Sequence, residues 1–295
     1  MPNQQDNNDR PALFIPSYPP PPGFGTDTGL VRPVPAGVPY YLSRGIQPLS
    51  VFQSGAVFSA EVTIGNWQGG NSSSLAMVSL WWSHALSGTT IPSKSKFIGF
   101  ASVAVPPHGA EETTQPISGL IEGAVPAHIC LLAKVWHALD MAPTTTLGDG
   151  SKVDLADPVH DRHWAQHNLA TVASSGPQKI QFLATNPGPD EARYTLLLQP
   201  MPREAWRSLA QHERMEPVMT RARLALSGED EQTLAEGVNV LRHDIELKGG
   251  EERLMTVSVD LFAPLDDNTC AAFEVQQLKG DIPAGGLAIV LRGGR

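Results

Sequence analysis

Phe58-Ser59-Ala60-Glu61-Val62-Thr63-Ile64 decides the fold. Its apolar residues fall at every second position, the spacing at which side chains of an extended chain return to the same face. The stretch reads as a half-buried strand, and the loop residues Gly65-Asn66-Trp67-Gln68-Gly69-Gly70-Asn71 close it. Ala76, Val78, Leu80 and Trp82 then alternate with Met77, Ser79 and Trp81. Phe97 to Val105, Ile129 to Trp136 and Gln166 to Val172 follow, each bounded by Gly, Pro, Ser or Asn. Short strands at these spacings, with almost no helical period, predict a β-sandwich over residues 49–174.

The same pattern resumes after Ser174-Ser175-Gly176-Pro177. Ile180, Phe182 and Ala184 lead into the turn Asn186-Pro187-Gly188-Pro189-Asp190, and Tyr194, Leu196 and Leu198 lead out of it. Val238 to Leu247, Leu254 to Phe262, Ala271 to Gln277 and Gly285 to Leu291 complete a second predicted sandwich over 178–295. One helical insertion is expected at Arg203–Met215, opened by Pro202. The fold class is therefore all-β: two tandem immunoglobulin-like sandwiches.

Residues 1–48 are different. Pro2, Pro11, Pro16, Pro19 to Pro22, Pro33, Pro35, Pro39 and Pro48 fix φ and remove donors too often for a helix or a central strand. The segment reads as an extended Pro-rich arm. It also carries Leu13, Phe14, Ile15, Tyr18, Phe24, Tyr40, Tyr41 and Leu42, more apolar surface than a solvating tail holds. Phe14, Tyr18, Phe24, Tyr40, Tyr41 and the loop residue Trp67 are accordingly expected to anchor an interface with another chain.

Composition narrows the function. Among 295 residues, 21 Lys and Arg stand against 30 Asp and Glu, for a net charge of −9, and the cations are scattered. No electrostatic footprint for nucleic acid is present. No apolar run approaches the roughly 20 residues of a membrane helix, and the Met1-Pro2-Asn3-Gln4 start lacks an export signal, so a cytoplasmic origin is expected. The final site is left open between a virion, an injection device and another large assembly. Residues 1–170 carry 8 basic and 12 acidic groups, whereas the shorter 171–295 carries 13 and 18. The first half therefore has the larger uncharged surface, as contacts with neighbours require.

Val125-Pro126-Ala127-His128-Ile129-Cys130-Leu131-Leu132-Ala133-Lys134-Val135, with Asp161-Arg162-His163-Trp164-Ala165-Gln166-His167-Asn168-Leu169 downstream, resembles bacterial CARDB-like immunoglobulin-like domains. Trp81-Trp82 and Val105-Pro106-Pro107-His108-Gly109 add to the likeness, which covers residues 50–172. It implies a fold found in adhesive and assembly proteins and names no activity. The uninterrupted apolar run at Ile129–Val135 also calls for a strand covered on both faces, by the arm or by another subunit.

Signatures of catalysis are missing: there is no G-x-S-x-G, no phosphate loop, no H-E-x-x-H and no C-x-x-C. Cys130 and Cys270 lie in apolar runs and read as buried thiols. The densest polar group is His160, His163 and His167 with Asp154, Asp157 and Asp161 nearby. Neutral imidazoles with carboxylates suit zinc, and a metal-dependent hydrolase or metal-stabilised module is the alternative they offer. A third reading takes Trp67, Trp81 and Trp82 as a sugar-stacking platform of a carbohydrate-binding module. The leading expectation is a non-catalytic assembly protein without a cofactor, partnered by copies of itself or by other subunits.

Overall fold

A computed structural model describes residues 10–17, 27–35, 38–126, 128–146, 151–173, 176–202, 215–226, 232–233 and 240–293. Period-two alternation yields strands throughout. In the first half these are β1 (Leu13–Phe14), β2 (Ile46–Pro48), β3 (Val57–Asn66), β4 (Ser74–His84), β5 (Lys96–Val105), β6 (Ala110–Thr113), β7 (Ile117–Leu120), β8 (Ile129–Trp136), β9 (Thr144–Thr146), β10 (Lys152–Asp154) and β11 (Trp164–Ala173). The second half adds β12 (Gln178–Thr185), β13 (Ala192–Pro200), β14 (Glu216–Pro217), β15 (Ala222–Leu226), β16 (Gln232–Thr233), β17 (Leu241–Leu247), β18 (Glu252–Leu261), β19 (Thr269–Lys279) and β20 (Ile282–Arg292). Among the described residues the only helical segment is a single 3-10 turn, Pro92–Lys94. The helical insertion expected at 203–215 lies outside the described residues but for Met215.

One nine-stranded sheet runs through both halves in the order β17-β13-β19-β20-β11-β8-β4-β5, with β14 beside β19. The join is the parallel pairing of Leu169–Ala173 with Ala288–Arg292. The expected boundary near Ser174–Pro177 is therefore no break between sheets, because the end of β11 keeps hydrogen-bonding to the last strand of the chain. A five-stranded sheet gathers β1, β2, β6 and β7 around β3, and a four-stranded sheet has the order β12-β18-β15-β16.

Each smaller sheet shares an apolar core with part of the large one. Phe58, Val62 and Ile64 of β3 meet Val78, Leu80 and Trp82 of β4 and Leu131, Ala133 and Val135 of β8. Ile180 and Phe182 of β12 and Val257 of β18 meet Leu196 of β13, Phe273 and Val275 of β19 and Ile289 of β20. Burial of such a side chain stabilises by about 1.5–3 kcal/mol.

The two cores lie on opposite faces of the shared sheet. Partners in register share a face, and the register runs from Ile129 through position 169 to Ala288. Ile129 packs on the first core, whereas Ala288 points away from the second core, whose β20 residues are Leu287, Ile289 and Leu291. Each half of the large sheet therefore has one face under its small sheet and an opposite face that needs other cover.

Over β19–β20 that cover comes from residues 34–35 and 38–42. Val34, Val38, Tyr40, Tyr41 and Leu42 pack with Cys270, Ala272, Ala288 and Val290. Tyr41 is seated where β20 has no side chain: a methyl group at Gly286 would stand 2.5 Å from its ring, the close approach that glycine in a strand permits. Farther up the arm, Phe14 lies over Gly65 of β3, where an added Cβ would fall 2.2 Å from Phe14 Cζ. The arm thus docks on its own chain. Over β8 the cover is Leu86, Ala156 and Trp164, which close on Cys130 and Leu132. The doubly covered strand expected at Ile129–Val135 gets its second layer from the same chain, from Leu86 and Ala156 outside the long strands and from Trp164 at the start of β11.

Candidate functional site: a bare face on the shared sheet

The histidine cluster separates in three dimensions. The His160 imidazole pairs with Asp157, Nδ1 to Oδ2 2.9 Å, at the surface. His167 Nδ1 sits 3.1 Å from the Ser43 carbonyl oxygen. Buried His163 lies between two carboxylates, Nδ1 2.7 Å from Asp161 Oδ1 and Nε2 3.2 Å from Asp140 Oδ1. The divergence follows from placement: His160 and His163 lie in the turn before β11 and take different carboxylates, whereas His167 lies on β11 and reaches the Ser43 carbonyl. Among the described residues no group of three or more His, Cys, Asp or Glu is placed to hold a metal ion.

What this region builds is a clamp on the arm. Asp140 accepts from Leu13 N at 2.7 Å and from Arg162 Nη2 at 2.5 Å. Arg162 Nε donates to Leu13 O at 3.0 Å, and Ile15 N donates to Arg162 O at 3.0 Å. Burial pushes the Asp140 carboxyl up, but hydrogen bonding from His163 and Leu13 N and the charges of His163 and Arg162 outweigh it and hold it below the usual carboxylate range. Burial likewise lowers the His163 imidazole, and hydrogen bonds and charge from Asp140 and Asp161 more than reverse that, so it titrates above an ordinary histidine.

A second staple, at Asp27, accepts from Ser17 N and Oγ at 2.8 Å each, from Gly29 N at 2.9 Å and from Arg32 Nη1 at 3.1 Å. Farther on, the Tyr41 hydroxyl donates to Glu274, a buried carboxylate that also accepts from Gln199 Nε2 at 2.6 Å. Asp27, Asp140, Arg162 and Glu274 were not singled out from the sequence. The available signal was an acid and an arginine five residues apart, Asp27 and Arg32, inside an apolar proline-rich stretch.

The expected interface anchors divide accordingly. Phe14, Tyr40 and Tyr41 are buried in their own chain, which corrects their assignment to a contact with another subunit: Gly65 makes room for Phe14, Gly286 makes room for Tyr41, and Tyr40 packs edge-on against Tyr41. Tyr18 and Phe24 lie outside the described residues. Trp67 alone of the six is described and exposed, at 41%. Trp81 and Trp82 face opposite sides of β4, the first against Phe97 and Trp164 and the second against Phe52, so strand alternation keeps the expected sugar platform apart. Both cysteines are buried and neither is in a disulfide, and burial pushes the Cys130 thiol up.

The uncovered surface lies elsewhere, on β4 and β5. The register sets Leu75 beside Ala104, Met77 beside Ser102 and Trp136, Ser79 beside Phe100 and Lys134, and Trp81 beside Phe97 and Leu132. This is the face opposite the first core. Phe100 is 66% exposed, Leu75 58% and Phe97 55%. Lys134 is the one charged residue in these rows, and its ammonium is 2.7 Å from Asp154. The face is therefore wide, apolar and neutral, the property that marks contact surfaces.

Compared with protein-family profiles and with curated proteins, the chain has no match. Among solved structures it is similar to a β-glucuronidase of Bacteroides uniformis, at 10% identity and TM-score 0.27 over 79% of this chain and 26% of that one. It is also similar to a collagen adhesin of S. aureus, at 8% identity and TM-score 0.21 over 81% of this chain and 88% of that one. The chain thus spans about a quarter of the glucuronidase. Likenesses at these TM-scores carry no argument about function. No helix among the described residues is long and apolar enough to cross a membrane.

Proposed function

We propose that the chain is a non-catalytic assembly protein, built as two immunoglobulin-like sandwiches, the first of them CARDB-like, that share a sheet and are strapped by their own arm. It joins a second copy of itself through the β4–β5 face, as one step in a larger particle, filament or surface array. The observation that carries this reading is the exposure of Phe97, Phe100 and Leu75 on a neutral face, where the equivalent face of the other half is covered. A second copy suits it on charge, because two chains of −9 each meet there without opposing charges. Aromatic side chains at the centre of such a contact carry much of its affinity.

The test is the solution mass of the intact chain and of a Phe97→Ser/Phe100→Ser variant. The reading expects wild-type mass to rise above 31.6 kDa with concentration and the variant to stay at one chain. A wild-type protein that remains a single chain at every concentration reached, or a variant that assembles equally well, contradicts it.

A further inference from the structure

At the junction of the halves a cleft of roughly 130 Å³ opens between the end of β4 and the edges of β12 and β18. One water needs about 10–15 Å³ by the same measure, so the cleft admits a small organic group. Trp82, Leu86 and Leu183 supply apolar wall, and Ser83, His84, Thr90, Lys94, Lys96 and Glu252 supply polar wall.

Its charge is unusual for this chain. Between Arg44 and Lys134 the sequence has no Lys or Arg other than Lys94 and Lys96, and both line this cleft. Lys94 is already compensated, 3.3 Å from Glu252 Oε1 and donating to Gly250 O at 3.1 Å. Lys96 is not: its ammonium stands 4.6 Å from the centre of the Trp82 ring, and no carboxylate among the described residues pairs with it. The ring fixes the ammonium beside an apolar wall. The cleft thus presents one uncompensated positive charge next to hydrocarbon, in a chain otherwise acidic.

We infer that this cleft binds a small carboxylate carried on a short apolar body. The anion meets Lys96 and the body lies against Leu86 and Leu183. The same chemistry is offered by a free organic acid and by a glutamate side chain of a peptide. The inference stands apart from self-assembly, because the cleft belongs to a single chain and Lys96 points to Trp82, on the opposite side of β4 from the bare face.

Calorimetric titration of the full chain with butyrate, 1-butanol and N-acetyl-glutamate amide tests it. Butyrate is expected to bind with a Kd of order 1 mM and butanol at least tenfold more weakly. Lys96→Gln, a change at an exposed side chain, is expected to weaken butyrate about fivefold while leaving the melting midpoint in place. N-acetyl-glutamate amide binding as tightly as butyrate assigns the site to an acidic side chain of a peptide, and weaker binding assigns it to a free acid. Absence of butyrate binding, equal binding of butanol, or a folded Lys96→Gln chain that binds butyrate unchanged overturns the inference.

Discussion

The two halves of the nine-stranded sheet solve the same problem differently. Over β19 and β20 the face left open by the small sheet is closed by Val34, Val38, Tyr40, Tyr41 and Leu42. Over β4 and β5 the corresponding face stays open, with Phe97, Phe100 and Leu75 in solvent. The covered half is also prepared for its cover, since Gly286 makes room for Tyr41 and Glu274 receives its hydroxyl. Nothing in the described chain closes the other half. The difference teaches that apolar content alone does not mark an interface; what matters is whether the same chain supplies the second layer.

Substitutions where the arm is docked on its own chain and substitutions on the bare face should therefore behave oppositely. The largest effect is expected at Phe14, fully enclosed over Gly65: Phe14→Ala should cost about 3–5 kcal/mol in denaturant unfolding. A loss under about 1 kcal/mol would mean the arm is a loose attachment. Asp140→Ala removes the acceptor that Leu13 N and Arg162 share and leaves His163 with one carboxylate. About 2–3 kcal/mol should be lost, less than for a fully buried pair because Arg162 is partly solvated. Gly65→Ala should cost about 1–3 kcal/mol, because the Phe14 ring must move to admit a methyl group.

The clamp also makes the docking of the arm depend on pH. His163 titrates above its unfolded value, so its contribution is complete below about pH 6.5 and is lost as pH rises through its folded pKa. Asp140 titrates below its unfolded value, so its contribution is present above about pH 4 and is lost as pH falls through its folded pKa. Hydrogen-exchange protection of the Leu13 and Ile15 amides, corrected for intrinsic rates, should peak between these limits. A His163→Gln chain should lose the alkaline decline. On the bare side, Phe97→Ser/Phe100→Ser should change stability least, within about 0.5 kcal/mol, while abolishing association.

Much of this architecture was legible and the decisive part was not. Alternation at Phe58–Ile64 and Ala76–Trp82 identified β3 and β4, and the run Ile129–Trp136 coincides with β8. Short strands such as β6 and β7 escaped because four residues hold too few alternations to register. Period two also says which residues share a face and not which strands are neighbours. The parallel join of β11 to β20 brings together residues more than a hundred positions apart and had no local signature. The arm's aromatic residues were legible as needing cover, but their sockets were not, since Gly65 reads as a loop glycine and Gly286 as an ordinary strand glycine until β3 is seen to extend to Asn66 and Phe14 and Tyr41 are seen lying on them. The three histidines are close in sequence, but His160 and His163 fall in the turn before β11 on different carboxylates and His167 falls on the strand, a division that spacing alone does not reveal. Phe97 and Phe100 were read as strand residues only, because a bulge at Leu80/Trp81 lets both face outward despite their odd spacing.

The central claim, that the β4–β5 face is closed by a second copy, is tested most directly by a reporter placed within it. Ser102→Cys sets one thiol beside Met77 without removing an apolar side chain, and Cys130 and Cys270 are buried. The account predicts that the labelling rate of this thiol falls as protein concentration rises and recovers on dilution. A rate that does not change with concentration would contradict it.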